Sequence, residues 1–303
     1  MKKMFINLPV VCVAMAISWV ACNGNSKKPE SEQAVVTNAA ADSGTAVHKP
    51  ADTSVVSTEA YVAGIISRRQ AVTSQLPGVN AEKATQLYHA LVLYMDTAMA
   101  DIMGNEAWLN EYANYYSDEK HAAVPPAKVQ RRIDLLATAG IEPWNIGEGY
   151  TELRTVPGFY KDLFGKSLPD DYRAYLQLKA DEDTVLYTAD AGLVIPFSLV
   201  GKRALNWEKF LDTYPRSYFF TTAKQLYEGY CRDYLFGEDN TPSFDDHTNP
   251  GSLLPENKEE YISFIQQHGD TKTGKIVKLF MDNMSSGKTV DELSELVRKA
   301  IQR

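Results

Sequence analysis

Glu148 stands between Gly147 and Gly149, shortly after Trp144 and just before Tyr150 and Glu152. Glycines accept backbone angles closed to other residues, so they can lift a carboxylate into a cleft, and the neighbouring rings can stack on a sugar or a peptide. The chemistry would be carboxylate-assisted hydrolysis of a glycan or peptide, with Glu148 as the catalytic candidate and Trp144 and Tyr150 as binding candidates. Sequence cannot reject such chemistry, because the second carboxylate of a pair can lie anywhere in the chain. The same residues also fit a structural loop whose Trp144 plugs the core.

A second concentration of acid is Glu238-Asp239-Asn240 with Asp245-Asp246-His247, in a stretch that also holds Pro242 and Pro250. Hard oxygen ligands suit calcium, but the order does not follow an EF-hand loop and lacks the glycine of its turn. A solvated loop is expected, with Asp239, Asp245 and Asp246 as binding candidates. The five histidines are scattered, and no HExxH or CxxC occurs, so neither a metal site nor a cofactor is expected. His89, between Tyr88 and Ala90 on an apolar helical run, reads as a satisfied boundary residue. No GxSxG elbow is present to raise a nucleophilic serine.

Of three cysteines, Cys12 lies in an apolar leader and Cys22 at its end, which leaves Cys231 without an internal disulfide partner. In Leu226-Tyr227-Glu228-Gly229-Tyr230-Cys231 it falls on a helical apolar pattern and reads as a buried thiol. Lys2-Lys3, the apolar stretch 4–20 and the small residue Ala21 before Cys22 have the layout of a secretory signal peptide. The apolar stretch is short for a membrane span, so removal is expected. A thiol at the end of such a run sits at the bilayer surface, within reach of an acyl transferase.

Trp19-Val20-Ala21-Cys22 resembles a bacterial lipobox, with Trp19 where that family prefers an aliphatic residue. The resemblance implies cleavage before Cys22 and attachment there of acyl chains such as palmitate. One chain holds only marginally, at about 0.8 kcal/mol per buried CH2, so a stable anchor takes two or three. By the same resemblance, Asn23 after the cysteine favours the outer membrane. The face of that membrane stays open, because Lys27-Lys28 precede Glu30 and Glu32 where a compact acidic run would favour the cell surface. The stretch 107–284, notably Gly237-Glu238-Asp239-Asn240-Thr241-Pro242, resembles uncharacterised helical lipoproteins of gut-type Gram-negative bacteria, a resemblance that carries no activity.

The elements that must position these residues are mostly helical. Residues 23–56 are rich in Ala, Ser, Thr and Val with no aromatic residue, which suits a flexible linker behind the anchor. The expected organisation is a signal peptide over 1–21, an anchor and linker over 22–56 and a helical domain over 57–303, with possible subdomains 57–156 and 157–303. Leu87, Leu91 and Tyr94 share a helix face that Asn80 would cap and Gly104 would end or kink. A helix over 106–116 follows, and Pro125-Pro126 opens another, with Val129, Ile133 and Leu136 on one face and Gly140 as its stop. Residues 141–156 read as an ordered loop, 159–164 and 170–179 as short helices, and 185–196 as an extended segment. Helices are then expected over 198–214, 217–236, 256–268, 271–284 and 289–302, the last with Thr289-Val290-Asp291-Glu292 as a capping box.

Trp207-Glu208-Lys209-Phe210-Leu211 before Pro215-Arg216-Ser217 is echoed by Tyr261-Ile262-Ser263-Phe264-Ile265 before Gly269-Asp270-Thr271. This is an αα-hairpin written twice and resembles tetratricopeptide-like repeats, although the copies lie further apart than in that family. The fold class is therefore mainly α, an irregular helical bundle or an αα-hairpin array. Tyrosines recur at helical spacing at Tyr112, Tyr115 and Tyr116 and at Tyr227, Tyr230 and Tyr234, as suits packed rings with hydroxyls at a rim, and also protein or glycan interfaces.

The formal charge of −8 becomes more negative when Lys2 and Lys3 leave with the leader, which disfavours nucleic acid. The expected role is a membrane-anchored envelope module that binds or scaffolds a protein or glycan partner, leaning away from enzyme activity. The alternative is an envelope hydrolase using carboxylates.

Overall fold

The computed structural model describes residues 56–117, 119 and 122–302, which fall in one compact unit. Cys22, expected to carry the anchor, the expected leader and almost all of the expected linker lie outside the described residues. Two long helices open the fold. Ser57 caps α1 (Thr58–Gln75) and Asn80 caps α2 (Ala81–Asn105), whose side chain accepts from Lys83 N at 2.9 Å. The buried stripe of α2 is Ala84, Tyr88, Leu91, Met95, Ala98 and Ile102, spaced by three and four as a core-facing helix requires.

The helix expected over 106–116 is a tighter 3-10 segment, Ala107–Tyr115, followed by the strands β1 (Tyr116–Ser117) and β2 (Ala122–Ala123). Buried Glu106 sets this geometry. Its carboxylate accepts from Trp108 Nε1 at 2.5 Å and pairs with Arg132 of α3 (Ala127–Thr138), while Arg132 also pairs with Glu59 of α1. Gly140 closes α3 at φ +78°, where a Cβ would meet the Phe159 ring at 2.6 Å.

Residues 141–156 are not a loop. They form a β-hairpin of β3 (Ile141–Gly147) and β4 (Tyr150–Thr155), with Glu142 opposite Arg154, Trp144 opposite Glu152 and a register shift between Asn145 and Gly147. A two-stranded ribbon has an outer edge on each strand, so Pro143 fits without a missing ladder bond, and Gly147 and Gly149 belong to the turn.

Two short helices follow, α4 (Phe159–Phe164) and α5 (Asp170–Glu182). The expected extended segment contains a minimal hairpin, β5 (Thr188–Ala189) with β6 (Gly192–Leu193). Helices α6 (Phe197–Thr213) and α7 (Phe220–Phe236) then pack along each other, with Gly201 against the Tyr234 ring. A further hairpin, β7 (Gly237–Glu238) with β8 (Thr241–Pro242), leads through a short loop to α8 (Pro255–His268), α9 (Lys272–Asn283) and α10 (Val290–Ile301). The capping box at Thr289 and Glu292 is fully formed.

The fold is mainly α, with strands only as two-stranded ribbons among the described residues. The αα-hairpin written twice in the sequence is present as α6–α7 and α8–α9. Trp207 and Tyr261 occupy matching places and are both fully buried, as are Phe210 and Phe264 nearly so. One hydrophobic core runs through the described residues from Val62 to Val297. No helix among them is long and apolar enough to cross a membrane.

Candidate functional site at the hairpin tips

Three hairpins from distant parts of the chain meet side by side: β3–β4, β5–β6 and β7–β8. Backbone groups lock them together. The Glu148 N–H donates to Asp190 Oδ1, and Asn145 Oδ1 accepts from Gly147 N at 2.9 Å to shape the first tip. The Asn240 N–H donates to the Ala191 carbonyl at 2.8 Å, its side-chain amide donates to the Asp190 carbonyl, and Leu193 N donates to Thr241 Oγ1 at 3.0 Å.

Among the described residues the only non-glycine residues with positive φ are Glu148 (51°), Asp190 (51°) and Ala191 (53°), all at these tips. Asp190-Ala191 is the central pair of a two-residue hairpin turn whose twist demands positive φ at both positions, a place usually given to Asn-Gly or Asp-Gly. A residue with a Cβ holds that conformation at a cost of about 1–2 kcal/mol, so the surrounding contacts must enforce it.

Between the tips lies an open cavity of about 250 Å³ lined by Glu148, Tyr150, Thr188, Asp190 and Glu238, among others. Tyr150 exposes 66% of its surface beside it. Glu238 has its carboxyl pushed above the usual range, first by burial and then by the charges of Asp233 and Asp239. Among the described residues no group of His, Cys, Asp and Glu converges as metal ligands would.

The candidates drawn from sequence thus separate. Glu148 and Tyr150 line the cavity, and Asp239 sits exposed at the adjacent tip. Trp144 neither lines the cavity nor plugs the core: it is half-buried, with the Arg154 guanidinium 3.2 Å from its ring centroid. Arg154 is itself held by Glu142 at 2.7 Å and by the Asp183 carbonyl at 2.8 Å, so this stack stiffens the hairpin. Asp245 and Asp246 belong to the loop that follows. The Asp246 carboxylate accepts from Thr248 N and Oγ1, both at 2.8 Å, and these bonds hold it below the usual carboxylate range.

Behind the tips runs a polar chain that sequence reasoning missed. Buried Glu182 accepts from Trp207 Nε1 at 2.7 Å and from the Tyr230 hydroxyl at 3.0 Å. Buried Arg203 donates to the Glu182 carbonyl at 3.1 Å and to the Tyr230 oxygen at 3.3 Å. Tyr187, whose ring lies 4.9 Å from that of Tyr230, donates to Asp233 Oδ2 at 2.8 Å. Burial raises the Glu182 carboxyl above its ordinary value, while the Trp207 bond and the Arg203 charge pull against it. A signal for Arg203 existed: it shares the stripe of Val200, Ala204 and Trp207, where a charge must find a buried partner.

The Cys231 thiol is buried and desolvation pushes it up to about 12, which keeps it protonated. His89 Nε2 is hydrogen-bonded to the Tyr172 hydroxyl at 2.8 Å.

Comparison with protein-family models, with curated proteins and with solved structures found no match for this chain.

Proposed function

We propose that this protein is a lipid-anchored binding or scaffold module of a bacterial envelope, tethered through Cys22, that receives a protein or glycan partner on its hairpin-tip face. The observation that carries the reading is the union of three hairpin tips, with strained backbone at Glu148, Asp190 and Ala191, around the exposed ring of Tyr150. Strain held by surrounding contacts is a mark of recognition sites, and an exposed tyrosine offers large contact area at little entropic cost. The cavity is smaller than the roughly 300–1,000 Å³ of pockets that enclose a small molecule, so it suits one side chain or one sugar unit of a larger partner. The carboxylates of Glu148 and Glu238 would accept from hydroxyl or amine donors while Tyr150 stacks.

The test places a photo-crosslinking residue at Tyr150 of the full chain in cells of the source type, with the same residue at the exposed Ile262 as control. The expected result is a discrete adduct from position 150 in the membrane fraction, absent at 262 and moved to the soluble fraction by Cys22→Ala. Equal crosslinking from both positions would remove the hairpin-tip reading.

A second reading, an envelope hydrolase, is favoured by one observation: Glu148 and Glu238 line the same cavity. The raised Glu238 carboxyl suits a general acid and Glu148 a base or nucleophile. Hydrolysis of envelope glycan or peptide that persists in Glu148→Gln would eliminate it.

A further inference from the structure

Helices α6 and α8, the first helix of each copy of the repeated hairpin, pack against one another and run in the same direction. Gly201 of α6 meets the Phe264 ring of α8, where a Cβ would come within 3.1 Å of it, and Glu208 further along α6 reaches Lys272 just past α8. Beside this contact lies another cavity, of about 460 Å³, which shares no lining residue with the hairpin tips. Its size falls within the roughly 300–1,000 Å³ of pockets that enclose a small molecule. It is lined, among others, by Lys202, Leu205 and Asn206 from α6 and by Glu260, Phe264 and His268 from α8, at the spacings of three and four that put side chains on one helix face.

The Tyr234 hydroxyl donates to Glu260 Oε1 at 3.0 Å, which fixes that carboxylate and leaves Oε2 for the cavity. The Gln267 amide is already engaged, donating to Ser263 Oγ at 2.8 Å. Among the described residues, by contrast, neither Lys202 nor Asn206 has a side-chain hydrogen bond or an ion pair, and Lys202 does not pair with Glu260 although both line the cavity. The Asn206 side chain is half-buried, so its unmade hydrogen bonds cost free energy that a bound molecule would recover.

The charges select the ligand. A simple anion drawn to Lys202 would face the Glu260 carboxylate, and a simple cation drawn to Glu260 would face the Lys202 ammonium. A molecule that carries both charges satisfies both groups. Asn206 adds a donor and an acceptor that match a peptide group, while Leu205 and the Phe264 ring offer apolar surface to a side chain. We infer that the α6–α8 cavity binds a small zwitterion, a free amino acid or a dipeptide, with its carboxylate on Lys202 and its ammonium on Glu260. The site is separate from the hairpin tips, and neither requires the other.

The test is titration calorimetry of the full chain with leucine, glycyl-leucine, glycyl-leucine amide and N-acetylglycyl-leucine. Leucine or glycyl-leucine should bind at a single saturable site, and whichever is tighter identifies the free amino acid or the dipeptide as the ligand. Removing either charge of glycyl-leucine, by the amide or the acetyl cap, should weaken binding by about tenfold, the scale of one hydrogen bond to a charged group. Lys202→Met, at an exposed position, should erase the difference between the free acid and the amide. Glu260→Gln, which keeps an acceptor for Tyr234, should erase the difference between the free amine and the acetylated form. If that variant does not fold, the capped dipeptides on the wild type carry the test of the ammonium contact. No saturable binding of leucine or glycyl-leucine up to about 10 mM, weaker than the millimolar limit of useful affinity, would overturn the site. Equal binding of the capped and uncapped dipeptides would overturn it as well.

Discussion

Glu208 carries a structural load out of proportion to its place in the sequence. From α6 its carboxylate reaches the first turn of α9, accepting from Lys272 N at 2.7 Å, Thr273 N at 2.8 Å and Thr273 Oγ1 at 2.6 Å. These are the N–H groups a helix start leaves unpaired, and an anion there also meets the positive end of the helix dipole. The site is buried, so water cannot replace the bonds. Glu208→Ala should cost about 3 kcal/mol, the scale for hydrogen bonds to a buried charged group, and Glu208→Gln about half of that. The measurement is the denaturant midpoint, with an unchanged slope showing that only stability moved. In the sequence this residue stands only as part of the repeated pattern Trp207-Glu208-Lys209-Phe210-Leu211. Its partner lies in a helix that only the fold brings near, which is why the role was not legible.

At the scale of elements, helices were legible and hairpins were not. Long amphipathic runs with caps, such as Asn80 before α2 and Thr289 before α10, state both their type and their start within a few residues of sequence. The hairpin β3–β4 holds a proline and two glycines, which read as a loop until the register pairs Glu142 with Arg154. Nor can local sequence reveal that three tips meet, since that depends on contacts between segments far apart. Glu148 and Tyr150 stand out because their residue types carry chemistry; Asp190 does not, because only the assembled tips give it a role. The strain at Ala191 yields a prediction at this scale. Its φ of 53° is natural for glycine, so Ala191→Gly should stabilise the protein by about 1 kcal/mol, the left-handed penalty relieved less the entropy glycine adds to the unfolded chain. A rise in the urea midpoint checks it. No gain would mean that the tip is relaxed, and the strain argument for recognition would lose its footing.

Across the whole molecule, two buried acidic centres respond to pH in opposite senses. Around Glu106, burial pushes the carboxyl up, but hydrogen bonds from Arg132, Thr58 and Trp108 outweigh it and leave the group below its ordinary value. A lowered folded pKa contributes stability above the unfolded value, about 4.3, and loses it as pH falls through the folded one. This centre joins α1, α3 and the 3-10 segment, so acid should loosen the N-terminal helices first. Glu182 works the other way. Its raised pKa makes its contribution complete below the unfolded value and lost as pH rises through the folded one. Stability should therefore pass through a maximum on the acidic side of neutrality, with a limb from each centre. Glu106→Gln should flatten the acid limb, and Glu182→Gln the limb toward neutral pH, each leaving the other in place. Thermal midpoints of the three proteins from about pH 3 to about pH 8 test this directly, and a profile on which neither substitution changes the slope would show that the two centres do not set it.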